Sequence, residues 1–193
     1  MVSEALKARM RAMAMSYPQT RSAMLPCLHL AQDELGLITD EAIAAVAEAI
    51  GVKTDEVESV VTFYSMFHQQ PKGKRIVKVC TSVSCYLMGC DAVLETLEGK
   101  LGVRRGETTA DGEYTLEAAE CLAACGMAPV LQVNSEFVEQ ATPEVAERLI
   151  DFLTAGGDMT QVHNQWRPFG DDGGMATETT IGGEGISTAK KAR

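Results

Sequence analysis

Apolar residues return every three to four positions through most of the first seventy residues, the period of amphipathic helices. Residues 3–16 lack Pro and Gly and are rich in Ala, Met, Lys and Arg, all good helix formers. Ser22 is placed to cap a second helix running to Leu35, with Pro26 in its first turn and Gly36 as its stop. Thr39 or Asp40 opens a third helix, in which Ile43, Val46, Ala47 and Ile50 fall at i, i+3, i+4 and i+7. Thr54 opens a fourth, with Val57, Val60, Val61 and Tyr64 on one stripe, and Pro71 and Gly73 break the pattern. A helical arm of three or four helices is expected over 1–72.

From Lys74 the period changes. The stretch RIVKV at 75–79 is β-rich and runs straight into Cys80. A helix is expected over 88–101, with Cys90, Leu94, Leu97 and Leu101 on one face, and a short strand over 115–120 leads into Cys121. Strands follow at 130–133 and 137–139 around an Asn134-Ser135 turn. Thr142-Pro143-Glu144 begins the last helix, with Val145, Leu149, Phe152 and Leu153 inward and Gly156-Gly157 at its end. The order is β-α-β-β-β-α. The fold class is therefore α+β, with a helical bundle at 1–72 and a mixed domain at 73–157. Residues 158–193 are rich in Gly, Thr and Ser, lack a period, and are expected to form an extended tail. Within it Trp166-Arg167-Pro168-Phe169 is an island that either packs back on its own domain or docks on a partner.

A formal net charge of -10 argues against a nucleic-acid partner, which needs clustered Lys and Arg. No apolar run is long enough to span a bilayer; the most apolar segment, 42–52, contains Glu48. The N-terminus mixes charges early and lacks a signal-peptide core, so direct membrane insertion is not expected. The expectation is a cytoplasmic chain, or one at the cytoplasmic face of the inner membrane as part of a peripheral arm. That compartment disfavours structural disulfides, so six cysteines need another explanation.

Four of them form two tight pairs, Cys80-x4-Cys85 and Cys121-x3-Cys125, each just after an expected strand. Loops at strand ends are held by the sheet yet free to wrap a ligand. A [2Fe–2S] cluster takes four thiolates, two on each iron. Zinc prefers C-x2-C, though longer spacings occur. At this point the cluster, zinc, and redox or structural thiols all remain open. Thr81, Ser82, Val83 and Ser84 fill the first loop and Leu122, Ala123 and Ala124 the second. Small residues let backbone N–H groups approach cluster sulfurs. Neither loop holds Lys or Arg, which favours a low potential. Cys27 and Cys90 fall on apolar helix faces and read as small buried hydrophobes, with a role as alternative ligand left open for Cys90 near Cys85. His29, His68 and His163 show no metal spacing, and no phosphate-binding glycine loop or dinucleotide fingerprint is present. This chain is thus not expected to bind NADH or flavin itself.

Several stretches carry a resemblance. They are Ala31-Gln32 with GLI at 36–38, VTFYSMF at 61–67, PKGK at 71–74 leading to Val79-Cys80, DGEYTL at 111–116, and ECLAACGMAP at 120–129. With the cysteine spacings, they resemble the thioredoxin-like [2Fe–2S] subunits of respiratory complex I, the bacterial NADH–quinone oxidoreductase. The resemblance runs from about 31 to 153. It implies a thioredoxin-like [2Fe–2S] ferredoxin domain after the helical arm, with Cys80, Cys85, Cys121 and Cys125 as the iron ligands and no catalytic residue. It also implies a partner, the larger flavoprotein that binds FMN and NADH and carries a [4Fe–4S] cluster, within the wider peripheral arm of complex I. Electrons would pass between that FMN and the cluster here. Three positions depart from the family: Ala123 stands where Gly is common, Tyr86 where Trp is common, and Cys90 where Cys is unusual. The same module occurs in NAD-reducing or electron-bifurcating hydrogenases and NAD-dependent formate dehydrogenases, and a free-standing ferredoxin would share the cysteines. A structural zinc protein is the remaining alternative.

Overall fold

The computed structural model describes residues 1–166, 177–181 and 184–187. The chain divides into two compact units, Met1–Lys72 and Gly73–Arg193. Among the described residues no helix is long and apolar enough to cross a membrane.

The first unit contains α1 (Glu4–Met15), α2 (Met24–Leu35), α3 (Asp40–Ile50) and α4 (Thr54–Phe63). Caps set the boundaries. Ser3 accepts from the Leu6 amide to start α1, and Thr39 accepts from Ala42 to start α3. Ser22 lies instead in a short 3-10 turn, Thr20–Ala23, that leads into α2. Thr54 is the first residue of α4, and the Glu56 carboxylate accepts from the Lys53 amide ahead of it. Gly36 and Gly51 end α2 and α3 in the left-handed conformation that glycine adopts without steric cost. Leu6, Met10, Leu28, Ile38, Val46 and Val57 form the centre of the core. Cys27 is fully buried among them, its thiol donating to the Met10 carbonyl at 3.5 Å.

The second unit is α+β. Its main sheet has the order β2-β1-β3-β4, made of β1 (Arg75–Cys80), β2 (Tyr114–Ala119), β3 (Leu131–Val133) and β4 (Glu136–Val138). β1 and β2 run parallel, from Arg75 opposite Tyr114 to Cys80 opposite Ala119; β3 and β4 are antiparallel additions. The connection from β1 to β2 passes through α5 (Val83–Leu87) and α6 (Cys90–Leu101), and α7 (Pro143–Thr154) follows β4. Val77, Val79, Leu94, Leu97, Leu116, Leu131, Leu149 and Leu153 belong to one core shared by sheet and helices. Phe152, expected inward, is only partly buried and lies over Gly157.

Two further features differ from the sequence expectation. The single helix expected over 88–101 is broken at Gly89, which holds φ 94°, and α5 precedes it. The extended tail expected over 158–193 contains a three-stranded antiparallel sheet of β5 (Val162–Trp166), β6 (Thr177–Ile181) and β7 (Glu184–Ser187). Threonine-rich β6 suits a strand, and Val162 and Ile181 supply the apolar anchors, both buried in the core of the second unit. Trp166 ends β5, while Arg167, Pro168 and Phe169 of the expected docking island lie outside the described residues.

Candidate iron–sulfur site

The parallel pairing of β1 and β2 puts both cysteine loops at the same end of the sheet. Cys80 is the last residue of β1, and Cys121 follows β2 by two positions. The Cys80 amide donates to Val130 at 3.0 Å, and the Thr81 amide donates to Ala119 at 2.8 Å, so the pairing continues past the strand ends. Cys85 lies within α5, and Cys125 opens a 3-10 turn, Cys125–Met127, that packs against α5. The Ala128–Pro129 peptide, between that turn and β3, is cis.

All six cysteines are free. Cys80 and Cys85 are 2 % and 1 % exposed and belong to the apolar core; Cys121 and Cys125 are exposed. The Cys80 thiol is close enough to Cys85 to raise it, and Cys80 and Cys125 are close enough to Cys121 to lower it. Among the described residues no three His, Cys, Asp or Glu side chains gather around one point as a single metal ion requires. Four thiols, two from each loop and with no His, Asp or Glu in either loop, suit the rhombic [2Fe–2S] unit, which asks two thiolates of each iron. Cys90 begins α6 and is fully buried, and that burial pushes its thiol up, with the Asp91 carboxylate adding to the rise.

The two sides of the site differ electrostatically. Burial pushes the Cys85 thiol up to about 11, with the hydrogen bond to Cys80 adding to the rise. Cys121 is held below the usual thiol value, first by the Ala123 amide, which donates to its sulfur at 3.3 Å, with the neighbouring Ser82, Cys125 and Cys80 side chains adding to the fall. Ala123 reaches this position with φ 59°, a left-handed conformation that a residue with a Cβ adopts at a cost.

Sequence reasoning missed an apolar surface here. Val83, Tyr86, Leu87 and Met88 are between 59% and 78% exposed, all in or next to α5 beside Cys85. The signal was present, because Val83, Tyr86 and Leu87 fall at i, i+3 and i+4 opposite Cys85. Patches of this kind mark interaction sites.

The sequence profile of the thioredoxin-like [2Fe-2S] ferredoxins matches residues 10–154. This chain belongs to that family. The family implies a [2Fe–2S] cluster. The chain is 45% identical over 137 residues to an NADH-quinone oxidoreductase subunit of Mycobacterium tuberculosis, covering 71% of this chain and 54% of the relative. It thus spans about half the length of its mycobacterial relatives. With an NADH-quinone oxidoreductase subunit of Rhizobium meliloti it shares 39% identity over 157 residues, covering 81% of this chain and 94% of the relative. The fold is shared with a chain of an NAD+-reducing [NiFe]-hydrogenase in its air-oxidized state, at a TM-score of 0.63 and 22% identity, over 72% of this chain and 24% of that one.

Proposed function

We propose that Cys80, Cys85, Cys121 and Cys125 hold a [2Fe–2S] cluster and that the chain is the electron-transfer subunit of an NADH:quinone oxidoreductase. The observation that carries this reading is the placement of two thiol pairs at one end of a parallel strand pair, in a chain related along most of its length to an NADH-quinone oxidoreductase subunit. When bound, the cluster supplies one-electron chemistry. The protein's own residues do the rest. Cys80 and Cys85 present their sulfurs from an apolar core that excludes water, while Ala123 aims its amide at Cys121.

The partner is a flavoprotein that binds FMN and NADH and carries a [4Fe–4S] cluster, in the peripheral arm of complex I at the cytoplasmic face of the inner membrane. The exposed face of α5 meets it, which brings the cluster loops to the boundary between the two chains. Exposed tyrosine and methionine fit this role, since both are enriched in interface cores.

Two experiments test the reading. Cys121→Ser should perturb or abolish the [2Fe–2S] absorption and circular dichroism of the reconstituted chain; a normal spectrum would overturn the ligand set. A native pull-down with mass spectrometry should retain a flavoprotein together with membrane-arm subunits. Recovery of a hydrogenase or formate dehydrogenase component instead would keep the cluster chemistry and change the enzyme.

A further inference from the structure

We infer that the Lys78–Glu117 ion pair sets the reduction potential of the cluster, with Lys78 supplying the positive charge that the cysteine loops lack. The inference rests on the four-cysteine reading above and concerns two residues that are not themselves ligands.

Strand register places the pair. Successive side chains of a strand point to opposite faces of its sheet. Val77 and Val79 face the core and are fully buried, so alternation puts Lys78 and Cys80 together on the other face of β1. Lys78 stands opposite Glu117 in the parallel ladder, and Cys80 stands opposite Ala119 one pleat further on. Two residues of strand span about 6.6 Å, so the lysine leaves the backbone close behind the first ligand. Hydrogen bonds fix that spacing at the strand end: the Cys80 amide donates to Val130 at 3.0 Å and the Thr81 amide to Ala119 at 2.8 Å. On its other side Lys78 stands opposite Gln132 of β3, which adds no charge.

The Lys78 ammonium lies 3.8 Å from the Glu117 carboxylate, and the two side chains are 19% and 20% exposed. Sheltered charges are screened far less than charges in open solvent. The carboxylate also tethers a flexible side chain, so the ammonium acts as a fixed charge. Reduction adds one electron to the cluster, with no bond made or broken. Net charge around a cluster is one of the levers on its potential. A positive neighbour stabilises the added electron and a negative one opposes it. Lys78 is two positions before Cys80, while Glu117 is four before Cys121, so the lysine has the stronger hold. Glu117 tempers it and keeps it in place.

The test is a dithionite titration of the full reconstituted chain at neutral pH, followed by electron paramagnetic resonance. It compares wild type, Lys78→Met, Lys78→Arg, Glu117→Gln, and the double variant of Lys78→Met with Glu117→Gln. A unit charge roughly 10 Å from a redox centre, at an effective dielectric of about 20, moves a one-electron equilibrium by about tenfold. Lys78→Met, which keeps the apolar stem, should hold the [2Fe–2S] spectrum and make reduction about tenfold less favourable, a fall of about 60 mV. Glu117→Gln should move the potential the other way, by about threefold. The double variant should fall between the two, and Lys78→Arg, which keeps the charge, should stay near wild type. An unchanged potential in Lys78→Met would overturn the inference. So would a fall in Glu117→Gln, because two shifts of the same sign mark a disturbed fold rather than a charge. If Lys78→Met fails to hold a cluster, the remaining variants decide: Glu117→Gln must rise above wild type and the double variant must lie below Glu117→Gln, and the reverse order overturns the inference. A wild-type chain that forms no [2Fe–2S] spectrum would instead overturn the cluster reading on which the inference rests.

Discussion

Ala123 carries backbone strain in the second cysteine loop, and the strain serves a local bond. At φ 59° its amide donates to Cys121 at 3.3 Å. An L-residue in that region costs about 1–2 kcal/mol, a penalty that glycine escapes. Ala123→Gly should therefore stabilise the cluster-free chain by about 1 kcal/mol in urea unfolding and leave the reconstituted spectrum unchanged, since the N–H remains. Cys27 offers a second residue-scale prediction. Burial raises its thiol from 9.0 to about 11. The folded chain thus keeps the proton where the unfolded chain loses it. Stability from this group is intact below pH 9 and is withdrawn as pH climbs from 9 toward 11, by roughly 2–3 kcal/mol in full. Cys27→Ala should cost about 1 kcal/mol at pH 7, flatten that alkaline decline, and leave the cluster spectrum intact. Paired urea titrations at about pH 7 and about pH 10.5, followed by far-ultraviolet circular dichroism, measure the first two effects.

Glycines report how closely the elements approach one another. A Cβ on Gly73 would lie 2.6 Å from the Tyr114 carbonyl carbon and 2.9 Å from the Thr115 amide nitrogen. Gly73 also donates to the Thr115 hydroxyl at 2.6 Å, where β1 and β2 begin to pair. Gly73→Ala must push backbone apart and should cost about 2–4 kcal/mol. Gly99, exposed in α6 with open space around its Cα, is the counter-case: Gly99→Ala should stabilise by about 0.5–1 kcal/mol. Thermal melts of the two variants should move in opposite directions. Elements with a strong period and a cap were legible in the sequence. In α3 the Ile43, Val46, Ala47, Ile50 stripe and the Thr39 cap agree, and α7 begins at Thr142-Pro143 as its residues dictate. The placement of Cys80 at the end of β1 and of Cys121 just after β2 was equally legible. α5 was not, because it turns its apolar side chains outward and its period has no core to answer to. The strands from Val162 onward were hidden for a related reason: polar residues dominate their sequence, and the buried anchors Val162 and Ile181 are single apolar residues far apart in the chain.

At the scale of the molecule, the proposed role needs a second chain, and α5 is where the surface supports one. Leu87 is 78% exposed, an unfavourable place for leucine unless something covers it. Leu87→Glu should leave folding and the reconstituted spectrum unchanged while weakening retention of the flavoprotein by about tenfold or more in a quantitative pull-down. The burial difference between the two cysteine loops also bears on the life of the protein before it receives iron. A newly made chain shelters Cys80 and Cys85 in its core but offers Cys121 and Cys125 to the solvent. Exposure and a lowered thiol pKa favour attack by peroxide, and Cys121 is exposed with its pKa lowered. Oxidative damage during biogenesis would thus begin on the second loop, and a chaperone or iron donor that guards that loop alone would protect the whole site.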